Sequence, residues 1–134
     1  MASFERDGIS LHYDIEGDGD PVLLIAPGPR EAEQLAEEGI SARIVSMPTV
    51  KPLDVEAVLA AARKTAGIVT AEEATTSGGL GGAVAETVVQ HHPTRVTILG
   101  VPEFAPTGSA GFLLDRYGMS PEGIAESARL LIRR

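Results

Sequence analysis

Residues 68–92, IVTAEEATTSGGLGGAVAETVVQHH, decide the fold of this chain. IVTAEE (68–73) reads as a strand, TTSGGLGG (75–82) as a loop and AVAETVVQHH (83–92) as a helix. RVTILGV (95–101) is a strand again. A strand, a helix and a second strand in this order form a βαβ unit, whose strands run parallel through a right-handed crossover.

The alternation continues upstream. SARIVSM (41–47) is a strand, and Asp54 is placed to cap a helix over VEAVLAAARKTAG (55–67), with Lys64 near its end and Gly67 beyond it. VLLIA (22–26) is a continuous apolar run, as in a strand covered on both faces. Gly28 and Pro29 open a short helix over 29–38 that stops at Gly39 and offers a thin apolar stripe of Ala32, Leu35 and Ala36. Before it, 3–7 and 9–16 read as a hairpin around Asp7-Gly8, with Ile9, Leu11, Tyr13 and Ile15 alternating with polar residues. Downstream, 108–117 and 121–132 read as helices, the second opened by Ser120 and Pro121.

The 134 residues suit one domain with one core. Hydrophobic residues reach 43% but aromatics only 4%, so Ala, Val, Ile and Leu must build that core. With no Cys, disulfides and thiolate metal sites are excluded. A net charge of -8 repels nucleic-acid phosphates. No apolar run is long enough to cross a bilayer, and no basic-then-apolar segment opens the chain. A cytoplasmic chain with neither nucleic-acid nor membrane partner is expected.

Chemistry-bearing patterns are sparse. Gly17-Asp18-Gly19 sits between two strands and reads as a turn. TGSAG (107–111) lacks the Gly-x-Ser-x-Gly spacing of a nucleophile elbow, so Ser109 reads as a helix cap. Without a nucleophile, His12, His91 and His92 have no triad to join. The adjacent pair His91 and His92 does not share a helix face and reads as a solvated helix end. SGGLGG (77–82) alone offers a mechanism, since backbone amides at a helix start hold anions. Gly28, Arg30, Ser77, Gly78 and Gly79 form the candidate for a weak anion site where the sheet connections reverse. Glu72 and Glu73 lie on its approach and would repel phosphate. The bland alternative is that these glycines permit a tight turn and close helix packing. No catalytic, cofactor-binding or metal residue is expected.

Two stretches carry resemblances. LAEEGISARIVSMPTVKPLD (35–54), IVTAEE (68–73), GGLGGAVAE (78–86), LGVPEF (99–104) and LLDRYGMSPEGIAESA (113–128) resemble, in order, the C-terminal domain of the transketolase family. Residues 3–28, ending in DPVLLIAPG, resemble the opening of an α/β-hydrolase. The two families share a compatible sheet. Together they imply a three-layer α/β/α domain over 1–134, with a mixed, mostly parallel six-stranded sheet. Its expected order is 1-2-4-3-5-6, with the N-terminal hairpin antiparallel. In the transketolase family, thiamine diphosphate and the activating Glu belong to other domains. The diphosphate motif also needs an Asn pair, and this chain has no Asn. The resemblances therefore imply no cofactor, no catalysis and a recombined or engineered chimera with a structural role. The alternatives are an interaction module that forms a homodimer, or a weak hydrolase.

Overall fold

The computed structural model describes the backbone of residues 2–6, 9–16, 22–25 and 30–133, and side chains from 32 to 133. The strands are β1 (Ala2–Arg6), β2 (Ile9–Glu16), β3 (Val22–Ile25), β4 (Ala42–Val45), β5 (Ile68–Thr75) and β6 (Val96–Val101). The helices are α1 (Arg30–Glu37), α2 (Val55–Ala62), α3 (Leu80–His91), α4 (Ala110–Arg116) and α5 (Pro121–Ile132). The domain is mixed α/β, as the alternation of elements requires.

The backbone ladders run β1-β2-β4-β3-β5-β6. β3 pairs in parallel with both β4 and β5, and β5 with β6. β2 joins β4 antiparallel, Tyr13 opposite Val45 and Glu16 opposite Ala42. Because β3 lies between β4 and β5, the carboxyl ends of those three strands share one edge, and a crevice opens there. The Asp7-Gly8 turn and Gly17-Asp18-Gly19 lie outside the described residues.

Successive strand residues point to opposite faces, and the buried core divides accordingly. On one face Val69 packs with Ala32 and Leu35 of α1 and with Ile124, Ala125, Ala128 and Leu131 of α5. On the other, Ile68 packs with Val58, Leu59, Ala61 and Ala62 of α2 and with Leu80, Val84 and Val88 of α3. The thin stripe of α1 suffices because Ala32 and Leu35 are fully buried. A bidentate contact reinforces it: Arg129 Nε of α5 donates to Glu38 at 3.0 and 2.8 Å. Hydrogen bonding from Arg129 holds the Glu38 carboxyl below its ordinary value.

Local signals set most helix starts. Asp54 accepts from the Ala57 amide, Ser109 from Phe112 and Ser120 from Gly123. Gly39 takes the left-handed conformation, φ 77°, that ends α1.

Two boundaries differ from the sequence reading. The helix expected over 55–67 ends at Ala62, and its last turn tightens as Lys64 and Thr65 donate to Ala61 and Ala62. Gly67 is buried for a tertiary reason: a Cβ there would lie 2.5 Å from Leu131 Cδ2. The second difference is α3, which starts at Leu80 rather than at residue 83. At Gly81 a close contact, not helix propensity, sets the residue. A Cβ on Gly81 would lie 2.8 Å from Thr70 Oγ1 and would overlap Ile98 Cγ2.

Candidate functional site

Two features stand apart from the core. The first is a crevice of about 340 Å³ at the carboxyl ends of β4 and β5. Val45, Met47, Val50, Leu80, Leu114 and Met119 supply its apolar walls, and Glu72 and Glu73 its charge. Open α/β sheets place ligand sites at this edge, where the connections reverse direction.

The start of α3 opens into this crevice, and the structure shows what fills it. Gly79, at the N-cap, has no side chain to cap the helix. Glu72 does so from the adjacent strand, its Oε2 accepting from the Leu80 amide at 2.8 Å. A Cβ on Gly79 would collide with that same carboxylate oxygen and lie 3.0 Å from the Thr75 carbonyl. Gly79 thus makes room for an internal carboxylate at the positive end of α3.

This arrangement revises the anion reading of Gly28, Arg30, Ser77, Gly78 and Gly79. Ser77, Gly78 and Gly79 do form the turn into α3, with Gly78 at φ 78° and the Ser77 amide donating to Thr75 Oγ1 at 3.3 Å. Gly28 and the Arg30 side chain lie outside the described residues. The first helical amide already holds a carboxylate, and a second, Glu73, lines the crevice. A diphosphate would meet two negative charges there, so this donor set does not fit thiamine diphosphate.

The second feature is the segment after β6. Phe104 is fully exposed and Phe112 half-exposed. α4 buries none of its residues, although it reads AGFLLDR. The Phe112 ring covers Gly108, where a Cβ would lie 2.5 Å from Cδ1. Glu103 ties the loop to the helix, accepting from Arg116 at 3.2 Å and from the Tyr117 hydroxyl at 3.4 Å. The segment that follows the edge strand β6 therefore presents an apolar shoulder at Phe104 and Phe112. Sequence reasoning passed over this shoulder. The signal was available: two of the chain's three Phe residues lie within nine positions of each other, at 104 and 112.

The remaining candidates have local roles. Ser109 caps α4. His91 ends α3, and the His92 amide donates to the Val88 carbonyl. Among the described residues, no group of three or more His, Asp or Glu is placed to hold a metal ion. The His12 side chain lies outside the described residues. No described helix is long and apolar enough to cross a membrane.

Comparison with known proteins follows the same outline. Residues 13–124 match the family described as transketolase, C-terminal domain. The chain is 41% identical over 125 residues to a 1-deoxy-D-xylulose-5-phosphate synthase of Symbiobacterium thermophilum, covering 87% of this chain and 19% of that protein. It is 37% identical over 113 residues to a 6-deoxy-6-sulfo-D-fructose transketolase subunit of a Clostridium species, covering 84% of this chain and 35% of that one. A solved structure titled split gene transketolase, inactive beta4 tetramer, superposes with a TM-score of 0.80 at 32% identity, covering 91% of this chain and 42% of that one. The chain thus spans less than half the length of these relatives.

These matches correct the reading of a recombined chain with only a structural role. The family match, over residues 13–124, spans Gly28, and the relatives are enzymes and enzyme subunits. The hydrolase resemblance of residues 3–28 gains nothing. A solved N-acyl homoserine lactone degrading enzyme superposes with a TM-score of only 0.44 at 22% identity, which carries no argument.

Proposed function

The chain belongs to the transketolase C-terminal domain family, and from that premise we propose that it is the assembly domain of a thiamine-diphosphate-dependent, transketolase-type enzyme. The observation that carries this reading is the apolar shoulder of Phe104, in the loop before α4, and Phe112 of α4, a helix that buries none of its residues. An exposed apolar patch marks a contact surface. The cofactor and the reacting groups belong to the rest of such an enzyme. The chain contributes a surface, works in the cytoplasm and turns over no substrate alone.

As its own partner we assign a second copy of the chain. Sedimentation velocity across a concentration series tests this. The expected result is a monomer–dimer equilibrium that Phe104→Ser with Phe112→Ser shifts to monomer without lowering the urea midpoint. A chain that stays monomeric throughout the series refutes the assignment.

We also infer that the hairpin keeps its place on the antiparallel edge in solution, giving the free chain the order 1-2-4-3-5-6. The four-residue register between β2 and β4, Tyr13 to Glu16 against Val45 to Ala42, supports it. Amide exchange tests it: slow exchange across both strands is expected, and rapid exchange confined to 2–16 refutes it.

A further inference from the structure

The crevice at the carboxyl ends of β4 and β5 is independent of the apolar shoulder, and its chemistry runs opposite to the anion site suggested by the glycine-rich sequence. At about 340 Å³ it is large enough for a small organic ligand. Met47, Val50, Leu114 and Met119 line it with flexible or aliphatic surface suited to an alkyl stem. Among the described residues, its charged lining groups are both carboxylates, Glu72 and Glu73.

The two carboxylates are not equivalent. Glu72 is committed, holding the Leu80 amide at 2.8 Å and neutralising the positive end of α3. Glu73 is exposed, and none of the ion pairs among the described residues involves it. An anion would meet repulsion from both groups, with the first amide of the helix terminus that could offset it already donating to Glu72. A hard metal ion needs about six oxygen ligands, far more than one open carboxylate between apolar walls supplies. A compact cation on an apolar body matches both the wall and the charge.

We propose that this crevice binds a primary ammonium carried on a short alkyl stem, with Glu73 as its counter-charge. The stem lies against Met47, Val50, Leu114 and Met119. Glu72 keeps the α3 terminus closed to anions, so ligands of opposite charge are turned away.

Hexylammonium, hexanol and hexanoate, titrated in turn into the full chain and followed by amide chemical shifts, test the proposal. Hexylammonium is expected to shift amides at 46–50, 71–73 and 114–119 saturably, and added salt to weaken it. Glu73→Gln, an exposed change that leaves the urea midpoint in place, is expected to weaken hexylammonium about five-fold and to leave hexanol unaffected. Hexanoate is expected to give no saturable shift. Equal binding of hexanol and hexylammonium, saturable binding of hexanoate, shifts away from the crevice, or an unchanged hexylammonium affinity in Glu73→Gln each overturn it. None of these outcomes bears on the assembly reading, which rests on the exposed Phe104 and Phe112, neither of which lines the crevice.

Discussion

Two adjacent glycines at the start of α3 should respond to the same substitution with opposite signs. Gly81 and Gly82 share one helical turn, so Gly→Ala restricts the unfolded chain equally at both. At Gly82 nothing lies within 4 Å of an added Cβ, so Gly82→Ala is expected to stabilise. The gain should be near the lower end of about 0.4–1 kcal/mol, because the site is close to the helix terminus. At Gly81 the added methyl overlaps Ile98 Cγ2 and comes within 2.8 Å of Thr70 Oγ1 and 2.9 Å of Ile98 Cγ1. Both neighbours are β-branched and stiff at χ1, and Thr70 is 1% exposed. Neither can turn aside, so α3 must lift from β5 and β6. Overpacking of this kind costs about 1–3 kcal/mol. Offset by the chain-entropy gain, Gly81→Ala should lose about 1–2 kcal/mol. The two variants should therefore differ by about 2 kcal/mol, or about 8 °C in Tm for a chain of this size. Urea unfolding followed by far-ultraviolet circular dichroism measures the gap, with an unchanged m-value showing that the unfolded state is unaltered. If Gly81→Ala proves as stable as Gly82→Ala, the close contact of α3 with β6 is wrong.

Other perturbations follow from the same geometry. Glu72→Ala leaves the Leu80 amide without its acceptor and is expected to cost about 1 kcal/mol by urea midpoint; Glu72→Gln, which keeps an acceptor oxygen, should lose less than half of that. Glu38, with its pKa lowered by hydrogen bonding from Arg129, contributes stability that is fully present above its ordinary value of 4.5 and is lost as pH falls through the lowered folded value. Urea midpoints measured from neutral to acid pH should decline less steeply in Glu38→Gln, and an unchanged acid limb would remove the Arg129 contact from the account. Phe104→Ser should leave the urea midpoint within about 0.5 kcal/mol of the parent chain, as expected for a residue that touches no core; a larger loss would mean that the shoulder is part of the folded interior.

What the sequence determined alone is what short-range chemistry controls. Asp54, Ser109 and Ser120 cap their helices because each hydroxyl or carboxylate reaches an amide only three residues ahead. Gly39 ends α1 because it tolerates positive φ. Five ordered motifs were enough to indicate the transketolase C-terminal domain, while the hydrolase resemblance of residues 3–28 did not mark a separate piece, since one family match crosses Gly28. Tertiary structure decided the rest, through partners that sequence distance hides. Gly81 and Gly82 read as loop because glycine is a poor helix former, yet Gly81 is helical because only a residue without Cβ fits against Ile98 and Thr70. The α3 terminus read as an anion site because its amides are visible in sequence, whereas the carboxylate that fills it comes from Glu72, eight residues earlier on β5. Arg129 and Glu38 meet across 91 residues, and Phe104, between β6 and α4, is left uncovered by the core. Capping follows from residues a turn apart. Which charge fills a helix end, and which aromatic stays outside, is fixed only when the sheet brings distant segments together.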